Sequence, residues 1–580
     1  MKKSDGKIPK FVETVGRDKP MPQDAFHLGY IARELSDALV GGKVNRITQA
    51  NKDEVTFHIY TKKRTLKLVL STNASFARVL LTEKEKEPAP VAPNFCMLCR
   101  KHLLNAEILS VKQHEFERIV EITFHCTGDF SECNRILHAE IMGKYSNLVL
   151  TENGVIVGAI KPSSLDSGNA RPIFTGVKYT YPAPQEKLSP FDTDALKERI
   201  EAFSAVQEGE DSEAWAKFLF ENVAGLALPT ARALIQKQPR GKELAVYLKE
   251  ACSGEEYSPC VLKTDGEITD FFAFSIPRGE ERESVIKAAD EYYTYKEEGR
   301  LFAEKKRKLE SAVKALEKKQ GKKIAELTEK LSSAENAEEQ RIKGELLTAN
   351  LYRLERGAKF LEAENWYEEG CPTVKIPLDV TLSPQKNAQK YFKAYAKAKR
   401  AKEFLLPMLK EAKEEASYTA GVLSSVLLSE TDEDLKEIET ELIGLGLLRP
   451  PKDKVGAKKP PEIPFREFSC EGFRILVGRN NLQNDRLVRG AAPNDIWLHT
   501  QKYHSSHVVI VSEGKKVPDS VIKRAAELCA YYSEARGGEK IPVDYCEKRF
   551  VKKPNKAKAG FVVYTDYKTA LVNSNIAGMR

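Results

Sequence analysis

The sequence predicts a multidomain α+β protein, from its length, the order of its secondary-structure patterns and the uneven distribution of its charge. At 580 residues the chain is too long for one hydrophobic core, so three or four domains are expected. Strand patterns dominate the first third, long charged helices dominate the middle, and a basic region with short strands ends the chain. This order predicts separate domains joined by linkers.

Residues 22–187 have the pattern of a mixed α/β domain. Apolar side chains at helical spacing over 24–40 stop at Gly41-Gly42, which predicts a helix, and a second helix is predicted over 94–104. Residues 1–21 are polar and basic, and we expect them to form a flexible extension. The predicted strands are 55–60, 66–70, 78–81, 108–111, 119–125, 135–141, 148–150 and 155–160.

The middle of the chain is predicted to be mainly helical. Residues 188–255 show short helices, with predicted helices at 215–223 and 229–235, which predicts a small domain that is either helix-hairpin-helix-like or a plain connector. Residues 256–287 are expected only to connect. Residues 288–448 predict a coiled-coil arm in which two Lys/Glu-rich helices around a Pro-rich insert pack antiparallel. The apolar positions that carry this prediction are Leu309, Val313, Leu316, Ile324, Leu327 and Leu331.

The net charge of the chain is concentrated in its last fifth. Residues 449–464 are rich in proline and lysine and predict a linker. The region that follows it, 465–580, holds 20 Lys+Arg and 12 Asp+Glu, an excess of 8 that equals the net charge of the whole chain. Such an asymmetry predicts a polyanionic partner for this domain, most simply a nucleic acid.

A dense set of hydrogen-bonding side chains follows the first strand pattern of this basic region. The strand pattern around Ile475 and Val477 precedes the set, and two further strand patterns follow at 497–499 and 507–511. The alternatives at this point are a recognition surface on a rigid sheet and an ordinary hairpin with a polar loop. The set comprises Arg479, Asn480, Asn481, Gln483, Asn484 and Asp485.

Few residue patterns in the sequence are typical of catalysis. The chain has no glycine-rich phosphate loop and no GxSxG or HExxH motif. His499, His504 and His507 lie near serines and an aspartate, so a hydrolytic triad could be drawn. Strand alternation instead places His499 on one face with Trp497, which favours a hydrogen-bonding or RNA-contacting role. We therefore predict no catalytic residue and no cofactor.

A zinc site was the strongest metal candidate. Cys96, Cys99 and His102 share one helix face, but a zinc site needs four ligands, or three and water. Cys126 and Cys133 fall on predicted strands and do not form a second tight pair, so no metal is expected. The ten scattered cysteines fit reduced thiols, and no apolar run approaches the ~20 residues that cross a bilayer. The first 20 residues also lack the apolar core of a secretory signal. These features predict a cytoplasmic protein with no membrane partner.

The basic run from Lys548 to Lys558 is a second candidate for RNA binding. It is short and lies next to a strand pattern at 561–565, which argues against a disordered tail. Each Lys or Arg that neutralises a phosphate adds a salt-dependent increment to affinity. Lys552 and Lys553 are therefore predicted RNA contacts, with a solvated loop as the alternative.

Longer motifs in three regions resemble the NFACT family. VGRNNLQNDRL at 477–487, DIWLH at 495–499 and SHVVI at 506–510 resemble its NFACT-R domain. LVGGKV at 39–44 and MGKYSN at 142–147 resemble NFACT-N, and IPLD at 376–379 resembles the join within the family's coiled-coil arm. Family members begin near a sequence like that at Met21, so either Met1 or Met21 is expected to start the protein.

The resemblance implies a ribosome-associated quality-control factor. Such factors bind 50S subunits that carry 23S rRNA and peptidyl-tRNA, and they recruit alanyl-tRNA for mRNA-independent alanine tailing of stalled chains, which marks those chains for degradation. The ribosome forms the peptide bonds, so the protein is not expected to be an enzyme. A small RNA-binding partner of the RqcP type is also implied. NFACT-N is expected to have the fold of a DNA-glycosylase N-terminal domain.

The resemblance also assigns site residues. Glu117 and Arg118 fall at an Asp-Arg pair that engages tRNA in the family, and Glu117 is one methylene longer than the family aspartate. Ser505 replaces the family's usual glycine. Arg100 and Lys101 are further tRNA candidates. The expected RNA contacts of NFACT-R are Arg479, Asn480, Asn484, Arg486, His499, His507, Lys552 and Lys553.

Two other functions remain as hypotheses from the sequence. Some relatives carry a fibronectin-binding label, so one alternative is a surface adhesin. The expected glycosylase-like fold raises the other, a nucleic-acid-processing enzyme. The amino acid that is added and the oligomeric state are left open, although a hairpin arm that packs on itself does not require a dimer.

Overall fold

A computed structural model describes residues 23–127, 132–163, 171–206, 211–237, 242–255, 257–335, 337–450, 463–555 and 557–574. The predicted extension 1–21 and most of the predicted linker 449–464 lie outside the described residues. The chain divides into two compact units, and the division falls between Arg300 and Leu301.

The first unit is built on a nine-stranded antiparallel sheet with the order β4-β3-β2-β1-β5-β6-β7-β8-β9. Each of the eight predicted strands overlaps an observed one, whereas β1 was not predicted. A β-bulge between Val44 and Arg46 interrupts the period-two alternation that would have indicated this strand. The strands are β1 Lys43–Asn51, β2 Glu54–Tyr60, β3 Thr65–Ser71, β4 Arg78–Thr82, β5 Glu107–Gln113, β6 Ile119–Thr127, β7 Glu132–Glu140, β8 Asn147–Glu152 and β9 Val155–Ala159.

Two helices of this sheet domain confirm the sequence predictions. α1 spans Ala25–Leu39 and α2 spans Asn94–Leu103. The side chain of Asp24 caps α1 by accepting a hydrogen bond from the backbone N–H of His27. The buried stripe of α1 forms part of the main core of the unit.

The small helices share that core rather than forming one of their own. α3 Thr193–Val206, α4 Ser212–Asn222, α5 Leu228–Lys237 and α6 Lys242–Ser253 contribute side chains to the same cluster as α1. Gly225, in the turn between α4 and α5, has a φ of +79° and accepts hydrogen bonds from the N–H groups of Ala25 and Phe26. The turn therefore joins the helical segment to the start of α1.

Residues 256–287, expected only to connect, hold a three-stranded sheet with the order β11-β10-β12. Its strands are β10 Cys260–Thr264, β11 Glu267–Phe272 and β12 Gly279–Glu281. Phe271 and Phe274 are fully buried, and the Phe274 ring meets Phe26 edge to face at 5.6 Å. The strands were missed because they are short and carry charged residues, while burial against α1 stabilises them.

A long helix, α7, spans Val285–Glu335, and its first turn is fixed by α1. The Glu34 carboxylate accepts hydrogen bonds from the N–H groups of Val285 at 2.8 Å and Ile286 at 3.0 Å. It also accepts from the Tyr257 hydroxyl at 2.5 Å. The first backbone N–H groups of a helix have no intrahelical acceptor, and Glu34 provides one for two of those of α7.

In the second unit, α7 continues from Leu301 and packs against α9, Pro384–Leu428. Leu309 shares a buried cluster with Val422, and Leu327 shares one with Leu409. The residue numbers of the contacting side chains fall along α9 as they rise along α7, so the two helices run antiparallel. Between these helices lie α8 Ala337–Ala349 and the hairpin β13 Phe360–Glu364 and β14 Thr373–Pro377.

A further helix, α10 Asp432–Gly444, follows α9 and starts at a capping box. The Thr431 side chain accepts from the Asp434 N–H, and the Asp434 side chain accepts from the Thr431 N–H. The apolar side of α10 packs on the arm, because Leu435, Ile438 and Leu442 share a buried cluster with α7 and α9.

The C-terminal domain is a six-stranded antiparallel sheet with helices on both faces, in the order β15-β16-β18-β17-β19-β22. α12 Asp519–Tyr531 covers one face. α11 Asn481–Gly490 covers the other, together with the small hairpin β20 Val551–Lys552 and β21 Val563–Tyr564. The sheet strands are β15 Arg466–Cys470, β16 Phe473–Val477, β17 Ile496–Thr500, β18 Val508–Val511, β19 Ile541–Glu547 and β22 Lys568–Val572.

The polar set between the first two predicted strands of this domain forms a helix start, not part of a sheet surface or a hairpin loop. The Asn480 side chain caps α11 by accepting from the Gln483 N–H at 2.9 Å. Leu487 and Val488 then pack in the same cluster as Trp497. The high polarity of this short helix hid it in the sequence, and tertiary burial of two residues stabilises it.

Candidate RNA-binding sites

The predicted pair Glu117–Arg118 lies in the turn between β5 and β6. Backbone hydrogen bonds fix this turn: the Glu117 N–H donates to the His114 carbonyl at 3.0 Å, and the Arg118 carbonyl accepts from the Ile141 N–H at 2.8 Å. The Gln113 amide donates to the Glu117 carbonyl at 2.8 Å and to the first residue of α1 at 2.7 Å. The pair therefore lies on a turn that hydrogen bonds hold beside the start of α1.

Arg118 is half-buried between carboxylates. Burial lowers the pKa of its guanidinium, and the negative charges of Asp24 and Glu117 oppose that effect. Asp24 is itself fixed, because it accepts hydrogen bonds from the His27 ring at 2.8 Å and the Thr230 hydroxyl at 2.6 Å. Sequence reasoning identified Asp24 only as a helix start; its proximity to Arg118 arises from the fold.

Aromatic side chains surround this turn. The His114 ring stacks on Tyr181 with centroids 3.7 Å apart and planes at 4°, and Phe116 meets Phe191 edge to face at 5.3 Å. Tyr145, which follows the segment that pairs with Arg118, is 71% exposed, and Tyr181 and Phe191 are each 42% exposed. Exposed rings at one end of a sheet can stack on unpaired bases.

Two lysines lie near this turn and its rings. The Lys144 ammonium is 4.7 Å from the centroid of Tyr145. Burial lowers the pKa of Lys187, and the nearby charge of Arg118 lowers it further, while Glu221 acts in the opposite direction. The turn and its neighbours thus combine cations with aromatic faces; we call residues 114–118, 141–145, Tyr181, Lys187 and Phe191 the β5–β6 edge.

Arg100 and Lys101 do not join the β5–β6 edge. The Arg100 Nε donates to the Ile47 carbonyl at 2.9 Å over β1. The end of α2 meets the far end of β6, where the Cys126 thiol donates to the His102 carbonyl at 3.4 Å. β6 rises about 3.3 Å per residue, so roughly 25 Å separates the two ends. The two pairs of predicted tRNA contacts therefore occupy different surfaces.

In the C-terminal domain, Arg479, Asn480 and Arg486 face the acidic side of α10. Arg479 Nη1 lies 3.0 Å from an Asp434 carboxylate oxygen. The Asn480 amide donates to Glu437 at 2.6 Å, and Arg486 Nη2 lies 3.6 Å from the same carboxylate. The structure brings these three predicted residues together, and all three contact the chain's own carboxylates.

Asn484 and His507 are buried beside α11, and the half-buried His499 contacts His507. The Asn484 carbonyl oxygen accepts from the His507 N–H at 3.0 Å, and Gly478 leaves room for it, since a Cβ there would lie 2.1 Å from that oxygen. His499 stacks on Trp497 with planes at 1°, as strand alternation predicted, and meets His507 edge to face at 5.3 Å.

The electrostatics of the two histidines suit hydrogen bonding rather than phosphate neutralisation. Burial lowers the pKa of His499 to about 4 and holds that of His507 well below its usual value. Both rings are therefore neutral near pH 7. They line a polar cavity of about 60 Å³ together with Ser424 of α9.

Lys552 and Lys553 lie on and after β20, on the side of the sheet covered by α11. Lys552 is exposed, whereas Lys553 pairs with Asp485 of α11. Phe561 and Tyr567, close by in the sequence, are 56% and 48% exposed. This hairpin offers both a cation and aromatic surface to solvent.

Neither a metal cluster nor a membrane span is found in the part of the chain that the structure describes. There, no group of three or more His, Cys, Asp or Glu residues is placed to hold a metal ion. Cys96 and Cys99 are buried in the main core of the first unit. No helix among the described residues combines the length and apolar character needed to cross a bilayer.

The fold and its basic C-terminal domain define a multidomain RNA-binding protein, and comparison with known families supports this class. Residues 24–461 match the NFACT N-terminal and middle domains, and residues 464–565 match the NFACT protein RNA binding domain. The chain belongs to the NFACT family, as the motifs indicated.

Two relatives align with nearly all of this chain. It is 35% identical over 558 residues to the Rqc2 homolog RqcH of Bacillus subtilis, covering 93% of this chain and 96% of that protein. It is 32% identical over 572 residues to the Rqc2 homolog RqcH of Streptococcus pneumoniae serotype 2, covering 97% and 100%. A solved N-terminal part of the fibronectin/fibrinogen-binding protein from Streptococcus suis is 26% identical, covers 47% of this chain and 99% of that one, and has a TM-score of 0.41.

Proposed function

We propose that this protein acts in cytoplasmic ribosome-associated quality control. It binds 50S subunits that carry 23S rRNA and peptidyl-tRNA, and it recruits alanyl-tRNA. The ribosome then adds a C-terminal alanine tail without mRNA, which marks the stalled chain for degradation. The end-to-end relationship to RqcH proteins is the observation that carries this proposal.

The β5–β6 edge supports an assignment of tRNA binding to Glu117 and Arg118. Single-stranded RNA loops are recognised by aromatic stacking and by charge-assisted contacts to phosphates and base edges. The negative charges of Glu117 and Asp24 favour the charged form of Arg118, while Tyr145 and Tyr181 leave ring surface exposed. Arg100 and Lys101 would then contact a different part of the RNA.

The C-terminal domain supports rRNA binding through its exposed hairpin. Lys552 and the neighbouring aromatic side chains provide phosphate neutralisation and stacking. Arg479, Asn480, Asn484, Arg486, His499 and His507 stay predicted RNA contacts. A small partner of the RqcP type would complete the assembly on the subunit.

Crosslinking in cells, followed by sequencing of the RNA bound to the tagged chain, tests this proposal. We expect enrichment of one alanine tRNA family together with 23S rRNA, compared with an untagged strain. Mass spectrometry of stalled reporter chains should show alanine tails that disappear when the gene is deleted. A tagged chain that enriches no RNA over the untagged strain would contradict the proposal.

A further inference from the structure

One side of α10 carries carboxylates that point at the C-terminal domain. Asp434, Glu437 and Glu441 follow one another at spacings of three and four residues and so share one helix face. Asp434 is fully buried and the Glu437 side chain is 14% exposed. Glu433, on another side of the same helix, is exposed. The face that carries Asp434, Glu437 and Glu441 is therefore the one that contacts the C-terminal domain, and we call it the docked face.

The groups that receive these carboxylates form an anion site. Glu437 lies at the start of α11, where the helix dipole favours negative charge, and it accepts from the Gln483 amide at 2.8 Å as well as from Asn480. Arg486 lies beside it. Asp434 lies between Arg479 at 3.0 Å and Arg466 at 3.6 Å. Two carboxylates thus meet three guanidinium groups, two amides and a helix N-terminus.

The same donor set is suited to RNA phosphates. Guanidinium forks, side-chain amides and helix starts are the groups that hold phosphate oxygens in RNA and DNA complexes. A phosphate and the carboxylate of Glu437 would occupy the same place, so only one of them can be bound at a time. Resting on the proposed RNA binding by this domain, we propose that α10 is an internal competitor that covers its anion site until RNA displaces it.

The contacts of α10 allow this exchange without unfolding. Its apolar side packs on the arm through Leu435, Ile438 and Leu442, whereas the contacts of Asp434 and Glu437 with the C-terminal domain are polar. Polar contacts can be replaced by phosphate and water at little net cost, while the apolar stripe keeps α10 on the arm. The C-terminal domain can therefore leave α10 while α10 remains folded.

Two full-length variants with the same change of charge test the competition. Glu437→Gln removes a negative charge at the anion site. Glu433→Gln removes a negative charge on the exposed side of α10. The affinity of each for a fluorescent single-stranded RNA oligonucleotide is measured by anisotropy over a range of salt concentrations. We expect Glu437→Gln to bind about five- to tenfold more tightly than Glu433→Gln at low salt, with a steeper salt dependence.

The outcomes separate this inference from the proposed function. Equal affinities of the two variants overturn the competition and leave RNA binding intact. No RNA binding by the wild type or either variant contradicts the proposed function itself. A second measurement does not depend on mutation: on addition of RNA, carbodiimide labelling of the Glu437 carboxylate in the wild type should rise as the docked face opens, while labelling of the exposed Glu433 stays constant. Unchanged or reduced labelling of Glu437 overturns the inference.

Discussion

The β5–β6 edge and the anion site of the C-terminal domain use arginines differently. At the edge, the negative charges of Asp24 and Glu117 act on Arg118, and exposed rings lie nearby. At the anion site, Arg479 and Arg486 are engaged by carboxylates of α10. The positive charge of a segment thus predicts the class of partner, whereas opposing acids elsewhere in the chain decide which cations are available to it.

The largest expected effect on activity is at the β5–β6 edge. Arg118→Ala should reduce alanine tailing about 30-fold or more, because one charge-assisted contact of about 2 kcal/mol is lost. Tailing of a stalled reporter is measured in a strain that lacks the wild-type gene, with Arg199→Ala on the exposed side of α3 as control. Arg100→Ala should have a smaller effect, since Arg100 lies on another surface. An equally severe loss for Arg100→Ala would contradict the separation of the two surfaces.

The stability of the first unit should depend on Gly225, in the turn between α4 and α5 that contacts the start of α1. Gly225→Ala places a Cβ 2.6 Å from the Phe116 ring at a φ of +79°, and we expect it to lower the free energy of unfolding by about 2–4 kcal/mol. The matched control is Gly41→Ala, which has a similar φ of +77° but an open site, and which should cost only about 1 kcal/mol. Chemical denaturation followed by fluorescence measures both, and equal losses would show that the contact with Phe116 is unimportant.

The docked face of α10 should make the second unit sensitive to pH. Burial raises the pKa of Glu441 to about 7, although hydrogen bonds from Tyr418 and Asn481 act in the opposite direction. The fold therefore favours the protonated carboxyl, and stability falls as pH rises from about 4.5 through 7. We expect the free energy of unfolding to fall by an amount on the order of 1–3 kcal/mol between pH 5 and pH 8. Urea denaturation at both pH values measures this loss.

Glu441→Gln provides the matching variant for this pH dependence. It should flatten the profile and exceed the wild type in stability at pH 8, while Glu433→Gln keeps the wild-type slope. A wild-type slope in Glu441→Gln would show that another group carries the pH dependence.

The smallest expected effect is at the exposed hairpin. Lys552→Ala should weaken RNA binding about two- to threefold and reduce the slope of log affinity against log salt by about 1. Anisotropy titrations at several salt concentrations measure both quantities. Arg474→Ala is the control, because Arg474 is paired with Glu467 at 2.6 Å. Slopes that fall equally in the two variants would contradict a special role for Lys552.

Much of the fold could be predicted from local patterns. The stripe of α1, eight strands of the large sheet and the antiparallel arm follow from apolar spacing. β1 was hidden by its bulge and α11 by its polarity, because tertiary packing rather than local pattern stabilises both. The strands over 256–287 form only because Phe271 and Phe274 bury against α1.

The sequence could predict which residues belong to the candidate sites, but not which groups contact them. The motifs located Arg118, Arg479 and Asn480 by resemblance. Their partners come from distant parts of the chain: Asp24 lies far before Arg118, and Asp434 is 45 residues before Arg479. No local periodicity relates such positions, so the sequence could not show which cations are already engaged.

The contacts of Glu34 have a consequence for how the chain folds during synthesis. Glu34 precedes Val285 by 251 residues, so its carboxylate is already in place when the first turn of α7 is made. Helix nucleation is the unfavourable step of helix formation, and a prepared acceptor for the first free N–H groups lowers that barrier. The 51-residue helix therefore starts at a defined residue, beside a carboxylate that is synthesised long before it.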